Sequence, residues 1–556
     1  MAQTFDKFKI TAPQVYFPEG GSYAVSTGIE YAKQYAVNTD NHSNSSTTFN
    51  IPVPSTNVIM DRRLILEVPV EIDFTCADNG ERCLLPRRDG FRADPLSAIC
   101  DNCRVDINGL GIDSRPRYLR RPLLNYASNE TRAHLASITP CVPDRYSDYE
   151  DSVSATNSPF NGVQFEDYSG QSGRATYDWV ITNNTNTTAR VTAKLRCYVK
   201  VSPLLWGNAD EQKGLANVSY CQVSFTWTNL YRLWSRDNDP DGLIGTPRPL
   251  SSMVVVLQKP TLYCTFFNHT LNTQIPSVVD YAHAQVIVAN TNYSEDTPAY
   301  SPHPGGLQAT TFRLDVVPSY MYLFVQDAVS STDGDLNRSV GYTDACYSIQ
   351  RVSVTFNNRD SRLNVASPSQ LYQLSVQNGL NQSFINFNGR AQIIDDATTG
   401  KRVGLGGSII KLDFSKDLGL DNGLLPGMSG TFQLSVQVDC TNESKRAVRP
   451  ELIMLIINEG VLRVGSGTAG AWIGIMNAQD FMNVQELEGV PATPLHMYGG
   501  GFGSKAMEML LSAVRNPEIC KRATAKVCDL IGTGGAVVGG QMVGGQAKGG
   551  RSLKMR

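Results

Sequence analysis

Charged residues are scarce in this chain, and features of several common protein classes are missing. Lys, Arg, Asp and Glu make up 18% of the 556 residues, against about 25% in a typical globular protein. The 12 cysteines are too sparse for a disulfide-stapled secreted scaffold. No run of about 18 apolar residues occurs, so we expect no transmembrane helix. The N-terminus lacks the apolar core of a signal peptide, so we expect synthesis in the cytosol with reduced thiols.

Catalytic and metal-binding motifs are also missing. None of the 6 histidines has the spacing of a metal-ligating motif. Cys100 and Cys103 form a single C-x-x-C, which together with Cys76 and Cys83 would give four zinc ligands. The spacing between Cys76 and Cys83 is too long for this site, so half-buried structural cysteines are the favoured interpretation. No phosphate-binding loop or Gly-x-Ser-x-Gly is present. We therefore expect no enzyme activity, no cofactor, no metal and no small-molecule substrate.

Charge is distributed unevenly along the chain. The net charge is −3, but Ser504–Arg556 contains nine Lys and Arg against three Asp and Glu, a balance of +6 that leaves −9 for the rest. A basic end on an acidic body suggests two surfaces with different partners, with a solubilising tail as the alternative. The stretch 532–556 is glycine-rich, and we expect it to be flexible. Its last four basic residues, called the tail cations below, are Lys548, Arg551, Lys554 and Arg556.

Alternation of apolar and polar residues dominates the chain. Every second residue is apolar from Leu64 to Phe74, from Val191 to Val201 and from Phe432 to Val438. Successive side chains of a strand point to opposite faces, so these segments predict strands with one buried and one wet face. Other segments, rich in β-branched and aromatic residues, predict strands that are more fully buried. They are Met253–Leu257, Thr261–Phe267, Tyr320–Val325 and Leu452–Ile457.

Helical periodicity is scarce before residue 504, so the sequence predicts an all-β fold of two sandwiches in tandem. A helix is predicted from Ser504, its N-cap, to Arg515, and Asn108-Gly109 predicts a tight hairpin turn. The expected divisions are an N-terminal arm 1–44, a first sandwich 45–250, a second sandwich 251–497, and a helical segment with a flexible basic tail 498–556.

A succession of short motifs in the second half resembles a known family. Leu314–Val325 is followed by Ile349–Arg359 and by Ser369–Tyr372, and Pro426–Gly430 then precedes the strand Phe432–Val438. This order is similar to that of the double jelly-roll major capsid proteins of eukaryotic DNA viruses. The resemblance is to the polinton-like virus, adintovirus and virophage type, with adenovirus hexon more distant. The first half matches this family only in strand pattern and size.

The resemblance implies a fold and an assembly. The fold would be two tandem eight-stranded jelly-roll sandwiches with long loops and a short helical, glycine-rich basic C-terminal tail. Three chains would form a homotrimeric, pseudo-hexameric capsomer, and capsomers would tile an icosahedral virion shell around double-stranded DNA. Penton or vertex proteins and minor capsid proteins would be partners. The implied location is the virion, with synthesis in the host cytoplasm and assembly in the host nucleus or cytoplasm.

Two groups of residues are candidates for contacts within such a shell. The turn-forming cluster Asn357, Asn358, Arg359 and Asp360 lies at a strand end and predicts an intersubunit loop, with a solvated loop as the alternative. The tail cations predict inward-facing contacts with the phosphates of packaged DNA. A minor capsid protein or an inner membrane is the alternative partner of the tail.

Two other functions remain open at this point. A single jelly-roll coat protein with giant loops, as in parvoviruses, predicts one set of strands and large insertions. A carbohydrate-binding or glycoside-cleaving sandwich predicts a signal peptide and clustered exposed aromatic residues. Strands recur in both halves of this chain, and the 5 tryptophans have no platform spacing. The double jelly-roll capsid protein is therefore the favoured hypothesis.

Overall fold

The computed structural model divides the chain into two compact units, Met1–Gly474 and Ile475–Arg556. The residues that the structure describes are 14–16, 22–24, 32–39, 41–54, 58–78, 80, 82–84, 89–141, 179–202, 204, 214–236, 250–268, 277–309, 311–328, 336–341, 347–393, 401–404, 406–418, 420, 426–444, 447–465, 467–473, 537–538 and 541–542. No helix within these ranges is long and apolar enough to cross a membrane.

The first sandwich consists of antiparallel strands in two large sheets. The strands up to residue 268 are β1 (Gln14–Tyr16), β2 (Ser22–Ala24), β3 (Ala32–Asn38), β4 (Asn41–His42), β5 (Ser46–Ile51), β6 (Val58–Met60), β7 (Ile65–Cys76), β8 (Asp89–Phe91), β9 (Cys100–Ile107), β10 (Leu110–Ser114), β11 (Trp179–Thr182), β12 (Thr188–Tyr198), β13 (Cys221–Trp227), β14 (Trp234–Arg236), β15 (Leu250–Leu257) and β16 (Thr261–Asn268). One sheet has the order β10-β9-β13-β5-β4, and the other has β11-β12-β7-β16-β3 with β15 on β7 and β6 on β16. The pairs β1–β2 and β8–β14 are separate from these sheets.

The second sandwich follows with the same two-sheet arrangement. Its strands are β17 (Val278–Asn292), β18 (Leu307–Gln308), β19 (Phe312–Val316), β20 (Tyr320–Asp327), β21 (Tyr347–Phe356), β22 (Arg359–Asp360), β23 (Arg390–Ile393), β24 (Lys401–Gly404), β25 (Ile409–Asp413), β26 (Ser429–Asn442), β27 (Pro450–Gly465) and β28 (Thr468–Ile473). One sheet has the order β17-β27-β20-β25 with β28 on β27, and the other has β18-β26-β21-β22 with β19 on β26. β23 and β24 pair with each other.

The predicted alternation is confirmed, and it produces one apolar core per sandwich. Leu66, Val68 and Ile72 of β7 are buried between the sheets of the first sandwich. In the second sandwich, Leu434 and Val436 of β26 are buried in the same way. The all-β fold of two tandem sandwiches is therefore confirmed. Each sandwich contains short edge strands in addition to the eight expected strands.

Strand pairing places the join between the sandwiches later in the chain than residue 250. β15 and β16 lie within the range expected for the second sandwich, yet both pair with β7 of the first. β3 and β4 lie within the expected N-terminal arm, yet they pair with β16 and β5. The join therefore lies between β16 and β17. Alternation along a strand shows which side chains are buried but not which strand is its neighbour, so it could not locate this boundary.

Short helices connect the strands where the sequence pattern suggested few. They are α1 (Pro95–Ile99), α2 (Pro116–Tyr126), α3 (Asn129–Ala136), α4 (Leu336–Ser339), α5 (Pro368–Gln377) and α6 (Phe384–Phe387), with 3₁₀ turns at Leu230–Leu233 and Arg362–Val365. α5 begins with a capping box: the Ser367 hydroxyl accepts from the backbone N–H of Gln370, whose side chain accepts from the backbone N–H of Ser367.

The smaller unit is described only by the antiparallel pair β29 (Val537–Val538) and β30 (Gln541–Met542). The predicted helix from Ser504 to Arg515 and the tail cations lie outside the described residues.

Candidate functional site

Helix α2, from the first half of the chain, covers the outer face of the second sandwich's β17-β27-β20-β25 sheet. Alternate residues of β20 and β27 point into the second core, and the others form a separate apolar cluster with α2. The buried members of that cluster are Tyr118, Leu119, Ala284, Tyr322, Phe324, Ile409, Ile453, Leu455 and Ile457. A sheet covered on both faces has apolar residues at nearly every position. The prediction that Tyr320–Val325 and Leu452–Ile457 are fully buried strands is confirmed.

Two arginines of α2 are buried in this junction. The guanidinium of Arg121 lies 4.9 Å from the ring centroid of Phe324. Arg120 donates from Nη1 to the carbonyl oxygen of Ala93 at 2.7 Å. A planar guanidinium combines several donors with a face that stacks on aromatic rings. These two residues therefore join the sandwiches through both polar and apolar contacts.

A buried carboxyl group links three elements at the same junction. Glu451, in β27, is 3% exposed. Its Oε1 accepts hydrogen bonds from the Tyr118 hydroxyl at 3.2 Å and from Nδ2 of Asn290 at 2.9 Å. Its Oε2 accepts from Nε2 of Gln326 at 3.0 Å. Burial and the neighbouring Glu451 raise the pKa of Tyr118 to about 12, so its hydroxyl keeps the proton that it donates. The network holds α2 in one position against β17 and β20.

The β9–β10 turn is attached to the far end of β27. Asn108 and Gly109 have φ values of 48° and 88°, and the strands pair directly on either side of them, which confirms the predicted hairpin turn. Nδ2 of Asn108 donates to the carbonyl oxygens of Asn217 at 2.8 Å and Gly465 at 3.0 Å. The side chain of one turn residue therefore connects the two sandwiches.

β17 and β27 form a long ribbon that belongs to both sandwiches. They pair along the whole length of β17. Val279, Leu462 and Val464, at one end of the ribbon, are buried in the core of the first sandwich. The hydroxyl of Tyr281 accepts from the backbone N–H of Ala216 at 2.7 Å. The two sandwiches thus share strands and a polar network.

The outer face of the first sandwich's larger sheet carries ion pairs. Nε of Arg190 donates to Oδ1 of Asp73 at 2.6 Å, and its Nη1 lies 2.8 Å from Oε1 of Glu71. On the adjacent β15, Val254 and Val256 are 55% and 43% exposed. The prediction that Met253–Leu257 is buried on both faces is therefore wrong, because no element of the described chain covers this face of β15.

The candidate intersubunit loop is a tight turn between β21 and β22. Asn357 and Asn358 have φ values of 51° and 64°, as the central residues of a type I′ turn do. Arg359 and Asp360 form β22 and pair with the end of β21. Asn357, Asn358 and Arg359 are exposed. The turn at a strand end is confirmed, and its contact with another subunit stays a prediction.

A segment of the second sandwich exposes several apolar side chains and was missed by the sequence reasoning. It runs from Leu363 to Gly389, includes α5 and α6, and contains no Lys, Arg, Asp or Glu. Phe384 and Ile385 are 41% and 56% exposed, and Val376 is also exposed. We call the exposed side chains of this segment the uncharged surface. Its signal in the sequence is the absence of charge over this run.

The four cysteines considered as zinc ligands are buried. Burial raises the pKa of the Cys100 and Cys103 thiols, which opposes the thiolate form that zinc binds. The neighbouring Cys83 thiol and the Arg236 charge lower the pKa of Cys76 to about 6. Within the described part of the chain, no cluster of three or more His, Cys, Asp or Glu side chains is arranged to hold a metal ion.

Models of two protein families match the two sandwiches. Residues 5–267 match the first domain of the Sputnik virophage major capsid protein. Residues 285–460 match the C-terminal domain of major capsid protein V20. The interval between these two matches contains the join that strand pairing places between β16 and β17.

One relative and two solved structures cover most of the chain. The putative capsid protein V20 of Sputnik virophage is 29% identical over 516 residues, which are 90% of this chain and 85% of the relative. A chain in the cryo-EM structure of Sputnik virophage has a TM-score of 0.75 and 26% identity, over 92% of this chain and 100% of that chain. The crystal structure of the mavirus major capsid protein shares the fold, with a TM-score of 0.65 and 18% identity over 86% and 96%.

Proposed function

Because this chain is a double jelly-roll major capsid protein of the virophage type, we propose that three copies form a homotrimeric, pseudo-hexameric capsomer. The observation that carries this proposal is the fixed junction under α2, which makes two sandwiches one body. Three such bodies supply six sandwiches to one ring. Closed symmetry buries open sheet edges without producing fibres.

The capsomers would then tile an icosahedral shell around double-stranded DNA. The relatives are structural capsid proteins, so the chain is a component of the virion capsid and not an enzyme. Penton or vertex proteins and minor capsid proteins are the proposed partners, and the host nucleus or cytoplasm is the proposed site of assembly. Two sandwiches, in place of one with giant loops, remove the parvovirus-like alternative.

Native mass spectrometry of the full chain tests the capsomer. We expect the mass of three chains, and negative-stain images with a pseudo-hexagonal outline. Arg359→Glu, in the exposed Asn357–Asp360 turn, should weaken the trimer if that turn contacts a neighbouring subunit. A parent chain that remains monomeric at micromolar concentration contradicts the homotrimer.

The tail cations are the proposed contact with packaged DNA. Four cations on every copy of a shell protein would sum to a large phosphate-binding capacity even if each contact is weak. Replacing the four with Gln, compared with deletion of 532–556, separates the effect of charge from that of chain length. We expect both variants to lower the DNA content of recovered particles. Unchanged DNA content in both would contradict the contact.

A further inference from the structure

The uncharged surface is held rigidly in place from beneath. The ring of Tyr372 on α5 lies 5.2 Å from that of Phe384 and 5.4 Å from that of Phe387, centroid to centroid. Nδ2 of Asn381 donates to the carbonyl oxygen of Ala127 at 2.9 Å, which ties the segment to the region of α2 and α3. The exposed apolar groups therefore stand on a preorganised support, and little conformational entropy is lost when they bind a partner.

The composition of this surface is that of a protein–protein contact. The centres of such contacts are depleted of charged residues and enriched in aromatic ones. Phe384, Ile385 and Val376 are exposed, and the intervening residues are mostly Asn, Gln and Ser. A nucleic-acid partner requires cations, which this segment lacks. The basic C-terminal tail, at +6 from Ser504 onward, would find no carboxylate within this segment. The adjoining Asp417 carboxylate already accepts from Nδ2 of Asn378 at 2.8 Å and from the backbone N–H of Asp413 at 2.7 Å.

We propose that the uncharged surface binds the same surface of a second copy of this chain, in a two-fold contact between neighbouring capsomers. A two-fold contact places each patch against itself, so a patch with net charge would oppose like charges, whereas this patch opposes none. Two-fold symmetry cannot operate within a three-fold ring, which places the contact between capsomers. This inference rests on the proposed homotrimer.

Ile385→Asp tests the contact, with Val254→Asp as a matched control because these two side chains are 56% and 55% exposed. We measure the thermal midpoint, the trimer mass, and the self-association of trimers by sedimentation at rising concentration. We expect Ile385→Asp to retain the trimer and the midpoint while its trimers self-associate at least about tenfold more weakly than those of the parent. Val254→Asp should leave the trimer and its self-association as in the parent, with a slightly lower thermal midpoint because position 254 lies opposite Asp73.

The outcomes separate the two proposals. A parent chain that forms no trimer contradicts the proposed homotrimer. If the trimers form normally and Ile385→Asp does not weaken their self-association, the proposed two-fold contact is contradicted. A second measurement uses Ile385→Cys with a short bis-maleimide, in a background in which Cys346, Cys520 and Cys528 are changed to Ser, since the described native cysteines are buried. We expect two-chain adducts from associated trimers and none from dilute trimers or from the same background with Ile385 retained. No adduct in associated trimers would overturn the symmetric contact.

Discussion

The large sheets of the two sandwiches present their outer faces to different surroundings. On β7 and β12 the outward side chains are Glu71, Asp73 and Arg190, which pair with one another at the surface. On β27 the corresponding face carries Ile453 and Leu455, buried beneath α2. Both sheets are antiparallel, so the apolar pattern along each strand reflects what covers its second face.

This contrast predicts where substitutions affect stability most. A side chain under α2 is packed between the sheet and the helix, so its truncation leaves a buried cavity. A side chain on the ion-paired face of the first sandwich borders solvent, so its truncation leaves no cavity. Matched substitutions in the two sheets therefore measure how rigidly the junction is held.

Phe324→Ala should have the largest effect. The ring is fully buried between strands and α2, and it lies beneath the Arg121 guanidinium. We expect a loss of about 3–5 kcal/mol in the free energy of unfolding, measured with urea. The control Val256→Ala, at an exposed position of the first sandwich, should cost less than about 0.5 kcal/mol. Equal losses would show that the two faces do not differ as described.

Glu451→Ala should follow, with a loss of about 3 kcal/mol, because the buried donors of Tyr118 and Gln326 and the partly exposed amide of Asn290 lose their acceptor. Glu451→Gln retains one acceptor oxygen. Its new amide N–H₂ would face the amide N–H₂ of Gln326, and two donors cannot form the hydrogen bond that the carboxylate accepts. The double variant E451Q/Q326E exchanges the groups across a directly paired position and should recover part of the loss. A double variant less stable than either single one would argue against this hydrogen-bond assignment.

His283 should make the junction ribbon sensitive to acid. Burial lowers its pKa to about 4, and its Nδ1 has no hydrogen-bond partner among the described residues. The folded state therefore takes up the proton at lower pH than the unfolded state. Stability present above about pH 6.5 is lost as the pH falls, by about 2 kcal/mol at pH 5. His283→Leu should reduce the difference in unfolding free energy between pH 7.5 and pH 5, and an unchanged difference would contradict the assignment.

Arg190→Ala should have the smallest effect. The ion pairs with Asp73 and Glu71 lie at the surface, where solvent screens them. We expect a slight lowering of the thermal midpoint at low salt that vanishes at about 1 M salt, where the screening length is about 3 Å. A large loss that persists at high salt would indicate that this face is covered in the folded protein.

Much of the fold could be predicted from periodicity, because the spacing of apolar residues along a strand indicates whether one or both of its faces are buried. The alternation of β7 and the continuous apolar run in β27 both matched the structure. The turn at Asn357-Asn358 was predictable because asparagine tolerates positive φ. These are local properties, set by neighbours in the sequence.

The junction could not be predicted, because it depends on partners distant in sequence. α2 contains Arg120, Arg121 and Pro122, which do not form an apolar helical face, and its role is defined by strands more than 150 residues later. Glu451 looks like an ordinary surface residue until Tyr118, Asn290 and Gln326 surround it. Helix α5 was not predicted, because its helical periodicity is weak, although Ser367 and Gln370 fit the Ser-x-x-Gln pattern of a capping box.

The β17–β27 ribbon also determines the order in which the two sandwiches can finish folding. Leu462 and Val464 complete the core of the first sandwich, yet they are synthesised nearly two hundred residues after β16. A nascent chain that ends before them has an open core and a β17 without its partner strand. Folding of the first sandwich therefore reaches completion only when the second is almost fully translated. A chain that ends before β27 would therefore lack both a closed first core and the strand that pairs with β17.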